Sequence, residues 1–476
     1  MVIILHVKSY TPVDIFCLKF LIPDFFSFRY GLSFFLLCCN VIMTAQRICL
    51  NLTIIAMVNS TDPHGLPNTS TKKLLDNIKN PVYNWSPDIQ WIILSSMLYG
   101  SFFIQFPVGY FAGRYSTKKM IGSAMCLCSL FSLLLPPAAE AGETWVIVCR
   151  VVQGISQGIA FTVQGIIWVK WAPPLERGRL ISMSVSGILL GSFIVRLVTG
   201  VICDSLGWPM VFYIFGACGC SLCLLWFVLF YDDPKDHPCV SISEKEYITS
   251  SLVEQVNSSR QFPPFKAMIM SLPILAISLG VFAFSCINTV MSVYAPTFIN
   301  SMLHVDIREN ALVSALPYLF GWICGVLTGQ ISDFFLTQNI LSVITIRKLF
   351  TTIGIIFPAI FGVFLPYLGS SLYSIAILLI LAHATSSFCF SGILINGLDI
   401  APSYYGLIKA WTLAIGLLGS SLASSLTGFI LSQDPESGWF KVFFLVLAIC
   451  VLGLSFYLKF AKAEVQDWAK EEHTRL

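Results

Sequence analysis

Aspartate and glutamate are missing from the interior of every long apolar run in this 476-residue chain. Only 11% of residues are charged, whereas a soluble domain carries roughly 25%, and 56% are hydrophobic. So little charge excludes a wetted globular surface, and the chain reads as a multi-span membrane protein in contact with a lipid bilayer. The missing carboxylates also remove the acidic groups that build proton relays within a membrane. A net charge of +3, with no basic stripe interleaved with aromatics, argues against a nucleic-acid partner. No nucleophile, base or metal constellation stands out, so neither an enzyme nor a resident cofactor is expected. Cys220 and Cys223 have metal-like spacing, but no histidine or second pair accompanies them, and they read as helix-contact residues. Residues 1–30 lack the basic start and unbroken apolar core of a signal peptide. Lys8, Pro12, Asp14, Lys19, Pro23 and Asp24 interrupt them, and a cytoplasmic or interfacial tail is expected.

What is present in the runs is arginine. Gly31–Val58 holds one charge, Arg47, and Thr144–Val169 holds one, Arg150; Arg196 lies in a third run. A guanidinium keeps its proton in proteins, so each is a lasting cation that needs a partner. With no acidic residue inside any of these runs, a mobile anion is the simplest counter-ion. Each arginine also has a second reading. Arg47 lies roughly 24 Å into its helix at 1.5 Å per residue, where it contacts an anion or bonds backbone carbonyls. Arg150 contacts an anion or snorkels outward. Arg196, near the outer end of its helix, contacts an anion, snorkels, or pairs with Asp204. Lys409 reads as an interfacial anchor and His383 as a hydrogen-bonded contact residue.

A spanning helix needs about 20 apolar residues. Twelve segments qualify, at 31–58, 88–111, 120–140, 144–169, 180–203, 209–230, 271–298, 311–332, 344–368, 372–398, 404–430 and 438–461. Lipid offers no partner for open backbone groups, so the expected fold class is an all-α membrane protein. The expected organisation is a tail 1–30, a first bundle 31–230, a cytoplasmic linker 231–270, a second bundle 271–461 and a tail 462–476. Arg114, Lys118, Lys119, Lys170, Arg177, Arg179, Arg347, Lys348 and Lys409 lie on one set of connections, which positive-inside bias assigns to the cytoplasm with both termini. The first loop, 59–87, is then outside and carries the glycosylation acceptors Asn59 and Asn68. The breaker-rich stretch Tyr231–Pro238 reads as solvated linker, and Ser243–Glu246 as a capping box that opens a short surface helix.

The halves repeat their landmarks. Gly109–Arg114 follows the second segment and Gly329–Asp333 the eighth, and Ala172-Pro173 ends the fourth where Ala401-Pro402 ends the tenth. Parallel six-helix halves are the layout of major facilitator carriers. Arg114 and Asp333 read as latches at the cytoplasmic face. Glycines 187, 191 and 200, and 416, 419 and 428, read as close-approach surfaces.

The Gly109–Lys118 stretch resembles the loop motif of the major facilitator superfamily, with Gly113 at the usual acidic position and Ser116 at the second glycine. Lys170–Arg177, Leu398–Pro402 and Gly207–Tyr213 resemble the anion-transporter family that includes type I sodium–phosphate cotransporters, sialin and the vesicular glutamate transporters. The resemblance runs from about Arg29 to the C-terminus. It implies twelve spans in two bundles, alternating access, and substrate contact by Arg47 and Arg150. It also implies sodium-dependent phosphate transport, voltage-driven transport of organic anions such as urate, and sodium as coupling ion. An apical plasma membrane and a monomer are the expected setting. The vesicular branch carries titratable groups where this chain has Leu94, Gln157 and Gly397, so coupling through those groups is not expected. Gln157, like Arg196, is read as either a substrate contact or structural. A proton-coupled acidic-sugar or amino-acid-anion carrier and an anion channel are the alternatives, with a transport-dead scaffold a third. If the outside placement holds, Asn59→Gln and Asn68→Gln will each remove one glycan, seen as a stepwise fall in apparent mass on a gel.

Overall fold

The computed structural model describes residues 27–58, 82–256, 265–295, 297–299, 307–368, 371–434 and 437–469. Eleven described helices are long and apolar enough to cross a membrane, and a bent pair makes a twelfth. In chain order they are α1 (Phe28–Met57), α2 (Pro87–Phe111), α3 (Thr117–Leu133 with Leu135–Ala141), α4 (Glu143–Trp171), α5 (Arg177–Leu206) and α6 (Trp208–Leu229). Then come α7 (Leu272–Val293), α8 (Ile307–Thr337), α9 (Val343–Phe364), α10 (Leu372–Ser386 with Ile393–Ile400), α11 (Tyr405–Gln433) and α12 (Gly438–Phe460). The helices start where the sequence says they should. Ser86 and Ser342 cap α2 and α9 through their hydroxyls, and Pro87 occupies the first turn of α2. The 49° bend in α3 coincides with Pro136 and Pro137, whose rings cannot continue the hydrogen-bond ladder. The helix α10 breaks at a 3-10 turn, Ser387–Phe390, where sequence patterning shows one unbroken apolar run.

The apolar core of the first half, α1–α6, gathers in two clusters, one of which takes in Ile395 and Leu398 of α10 and Tyr405 of α11, while the main core of the second half is drawn from α7–α12. Their internal pairings repeat: α1 packs on α5 as α7 packs on α11, and α2 packs on α4 as α8 packs on α10. Between the halves, α5 meets α8 and α2 meets α11, which are equivalent pairs under the same exchange. Small residues set these distances. A Cβ at Gly187 would overlap the Leu37 carbonyl of α1, and one at Gly191 would reach the Val41 carbonyl at 2.6 Å. On the other side, a Cβ at Gly419 would stand 2.8 Å from the Phe282 carbonyl of α7 and one at Gly416 2.9 Å from the Ser285 hydroxyl. Gly200 and Gly428 differ from expectation: both are exposed, and a Cβ at either would meet nothing within 4 Å.

The connections are more ordered than their composition suggests. Residues 59–81, which hold Asn59 and Asn68, lie outside the described residues, as do 1–26 of the expected tail; Phe28–Tyr30 belong to α1. The stretch 231–240 is docked, not solvated. Its Asp232 accepts from Ser116 Oγ (2.5 Å) and Lys118 N (2.7 Å), capping α3 from afar. His237 is buried between Phe28 and Trp171 and bonded to the Leu229 carbonyl. The linker helix, Ile242–Val256, is capped by Ser241 rather than Ser243. Its Glu244 is drawn away from a capping box to the start of α1, where it accepts from Ser27 Oγ and from the Phe28 and Arg29 amides. A helix N-terminus attracts a carboxylate through its open amides and its dipole. At Tyr247, burial and nearby Glu176, whose carboxylate accepts from its hydroxyl at 3.4 Å, push the phenol pKa up.

Gly191→Leu should therefore destabilise the detergent-solubilised protein by about 1–3 kcal/mol through overpacking. Gly200→Ala should not, since nothing lies within 4 Å of a Cβ there. Thermal unfolding of the two variants side by side checks this, and equal melting points would refute the close-approach reading.

Candidate functional site

Among the described residues, the arginines whose apolar runs hold no acid pair with none in space either. Arg150 is 1% exposed on the inner side of α4. Its Nη1 donates to Gln153 Oε1 (3.1 Å), its Nη2 to the Arg47 carbonyl of α1 (3.2 Å), and its Nε has no hydrogen-bond partner. It does not snorkel. Arg47 is half-buried beside it. Among the described residues, neither pairs with a carboxylate; every ion pair found lies elsewhere. Burying an ion costs on the order of several kcal/mol, which only a partner repays. Two neighbouring cations with neutral surroundings thus form a local sink for negative charge.

Amides frame this pair. Gln157 donates through Nε2 to the Met43 carbonyl (2.8 Å), leaving Oε1 without a partner. Gln153 and Gln46 are likewise buried with one amide atom each unsatisfied. Gln46 sits between α3 and α6, donating to Ser129 Oγ and the Phe215 carbonyl. Leu94 is half-buried on α2. Gly397 is buried on α10, where a Cβ would stand 3.0 Å from Ile408.

Arg196 does not pair with Asp204, one of the three readings left open by the sequence. Its Nη1 donates to the Ser192 carbonyl one turn back (3.0 Å) and its Nη2 to Tyr318 Oη (3.1 Å), with the guanidinium stacked 4.2 Å over the Tyr318 ring. Asp204 lies two turns on along α5, out of reach for a side chain that bends back toward its own N-terminus. Tyr318 belongs to α8, so this contact joins the two halves. It continues through Tyr318 to the Ser292 carbonyl and from Ser292 Oγ to His383 Nε2 (3.3 Å). His383 is thus a hydrogen-bonded contact residue, as its sequence position suggested. Lys409 is half-buried on α11, against Gly165 of α4.

The face rich in lysine and arginine is sealed. Asp333, fully buried at the end of α8, accepts from the Gly178 (3.0 Å) and Arg179 (2.7 Å) amides at the start of α5, with Arg179 Nε at 3.6 Å. Asp399 of α10 bridges Arg347 of its own half (2.7 Å) and Arg177 of the other (3.7 Å). Ser182 and Ser391 bond across the same seam (2.8 Å). Gly329 and Gly109 let the halves approach closely: a Cβ would stand 2.5 Å from the Gly178 carbonyl or from Ala410 Cβ. Arg114 lies exposed over the Tyr110 ring (4.5 Å), beside this seam. Sequence reasoning found Asp333 and missed Asp399, Arg177, Arg347 and Tyr318 as seam residues. Asp399 sits within the stretch Leu398–Pro402, yet only the fold shows that it faces two arginines.

Residues 36–423 match the model of the Major Facilitator Superfamily. The chain is 71% identical to sodium-dependent phosphate transport protein 1 of Homo sapiens over 96% of its own length and 98% of that protein's. It is 63% identical to the protein of the same name from Oryctolagus cuniculus over 95% and 98%. A probable small intestine urate exporter of Homo sapiens shares 46% identity over 94% and 93%. Among solved structures, the proton:xylose symporter XylE matches with a TM-score of 0.66 over 92% of this chain and 97% of that one, and the fucose:proton symporter FucP with 0.61 over 90% and 99%. At 13% identity those two speak for the fold alone.

Asp333→Asn should loosen the sealed face, because charge-assisted bonds to open helix amides are worth about 1.5–3 kcal/mol. In a background stripped of reactive cysteines, a thiol at Ser182 should then label about tenfold faster from that face. Unchanged labelling would remove Asp333 from the seam.

Proposed function

The chain belongs to the major facilitator superfamily, and from that premise we propose that it carries anions by alternating access, as a sodium-dependent phosphate transporter that also moves organic anions of the urate type. One observation carries this reading: Arg150 is 1% exposed and, among the described residues, is bonded to Gln153 and a backbone carbonyl and stands beside Arg47 with no carboxylate paired to it. An anion seated between the halves supplies the missing charge. The names of the relatives, phosphate transport proteins and a urate exporter, agree with an anionic cargo. The basic face is cytoplasmic, with both termini, and the unit is a monomer in an apical plasma membrane. The described conformer has the cytoplasmic seam closed. Rocking of the halves would break the Asp333 and Asp399 contacts and open it.

The buried carboxylates Asp333 and Asp399 are both engaged by arginines or helix amides, so a sodium site would draw on neutral oxygens. Asn40 Oδ1 and Thr44 Oγ1, one turn apart on α1, are buried without hydrogen-bond partners and fit that role. Sodium there would add positive charge beside the arginines and be stabilised by the anion, which gives a physical reason for coupling.

Phosphate and urate flux into reconstituted vesicles tests this, with sodium, proton and voltage gradients imposed separately. Saturable, sodium-driven phosphate uptake is expected, and a fall of about tenfold or more in Arg47→Ala and in Arg150→Ala. Normal transport by both variants would sink the proposal. Uptake without saturation or counterflow would instead mark an anion channel.

A further inference from the structure

The unsatisfied atoms around Arg150 are of two kinds, and their arrangement selects among anions. Arg150, Gln153 and Gln157 recur at i, i+3 and i+7 and so lie on one stripe of α4. All three are 1% exposed. Arginine can only donate, so the Gln153 atom that receives Arg150 Nη1 must be Oε1, and its free atom is the donor Nε2. A backbone carbonyl can only accept, so the Gln157 atom that reaches Met43 must be Nε2, and its free atom is the acceptor Oε1. The amide orientations are therefore fixed by their partners and are not a matter of choice. The stripe presents two orphaned donors, Arg150 Nε and Gln153 Nε2, followed by one orphaned acceptor, Gln157 Oε1. Helix α1 holds both ends, through the carbonyls of Arg47 and Met43, one turn apart.

A buried polar atom without a partner costs about 1–3 kcal/mol. Three on one stripe, around a cation with no counter-ion, describe the complement of a ligand. A simple anion would satisfy the donors and leave Gln157 Oε1 unpaired. An anion that carries its own hydrogen-bond donor would satisfy all three.

We infer that this stripe is a two-sided recognition site, in which Arg150 Nε and Gln153 Nε2 donate to an oxyanion while Gln157 Oε1 accepts a hydrogen that the same anion bears. The cargo class is then an oxyanion with an O–H or N–H group, such as hydrogen phosphate or a protonated heterocyclic anion. Fully deprotonated tetrahedral anions are disfavoured. This rests on the anion-carrier reading above and sharpens it. It also explains why α4 carries amides beside its arginine. A carboxylate at 153 or 157 would neutralise Arg150 and take the place of the cargo, whereas an amide accepts from the protein and donates to the anion, or the reverse.

Sulfate is the probe, since it matches phosphate in shape and charge but has no hydrogen to give at neutral pH. In vesicles containing the full chain, sulfate should inhibit phosphate uptake with an inhibition constant about tenfold or more above the phosphate KM. Gln157→Met keeps the volume and removes the acceptor. It should raise the phosphate KM until that discrimination collapses. Gln153→Met removes a donor, and should weaken phosphate and sulfate in parallel with their ratio kept. The opposite signatures separate recognition from misfolding, which would reduce the transport maximum of both variants and leave their selectivity intact. Equal competition by sulfate in the wild type, or unchanged discrimination in Gln157→Met, overturns the inference while Arg150-dependent uptake stands. Uptake that survives Arg150→Ala overturns the carrier site and this inference with it.

Discussion

Everything about this molecule turns on a cation placed where no carboxylate among the described residues answers it. Arg150 is buried on α4, bonded to an amide and a carbonyl. The lost hydration of a guanidinium is costly in a low-dielectric interior. A stable protein tolerates such a group when the compensation arrives from outside. The carbonyls of Arg47 and Met43, the amides of Gln153 and Gln157, and the close α1–α5 packing hold the site in shape without neutralising it.

Carboxylates are placed with matching economy. Among the described residues, Glu244, Asp232 and Asp333 each cross a long stretch of sequence to cap the starts of α1, α3 and α5. Each lies on the basic face, where the helix amides are open and the dipole favours negative charge. Two of these caps tie the linker to the first half. The third comes from the second half and ties the halves together. The same physics thus serves for fixed structure in two places and for a breakable seam in one. Arg196 and Tyr318 make the corresponding contact toward the opposite face, and their bond is neutral-accepting and single.

Much of this was legible in the chain. The spans, their even number and the repeated Gly109 and Gly329 landmarks follow from apolar run lengths and spacing, because lipid permits little else. Arg47 and Arg150 stood out because a lone charge in an apolar run is visible in one dimension. Asp399 and Tyr318 did not stand out, since a carboxylate at a helix end and a tyrosine in a span are ordinary until a partner faces them. For Arg196 the sequence left pairing with Asp204 open beside two other readings, because Asp204 is near in sequence, whereas Tyr318 is near only in the fold.

The amino-acid sequence by itself determined the membrane class, the all-helical architecture, the two-fold repetition and the presence of unanswered arginines. These depend on local composition and periodicity, which the solvent reads directly. The tertiary structure alone decided which neutral groups surround Arg150, which amide atoms are left free, and which carboxylates seal one face. Those outcomes depend on which turn of one helix meets which turn of another, and α1 and α4 come together only once the bundle has closed.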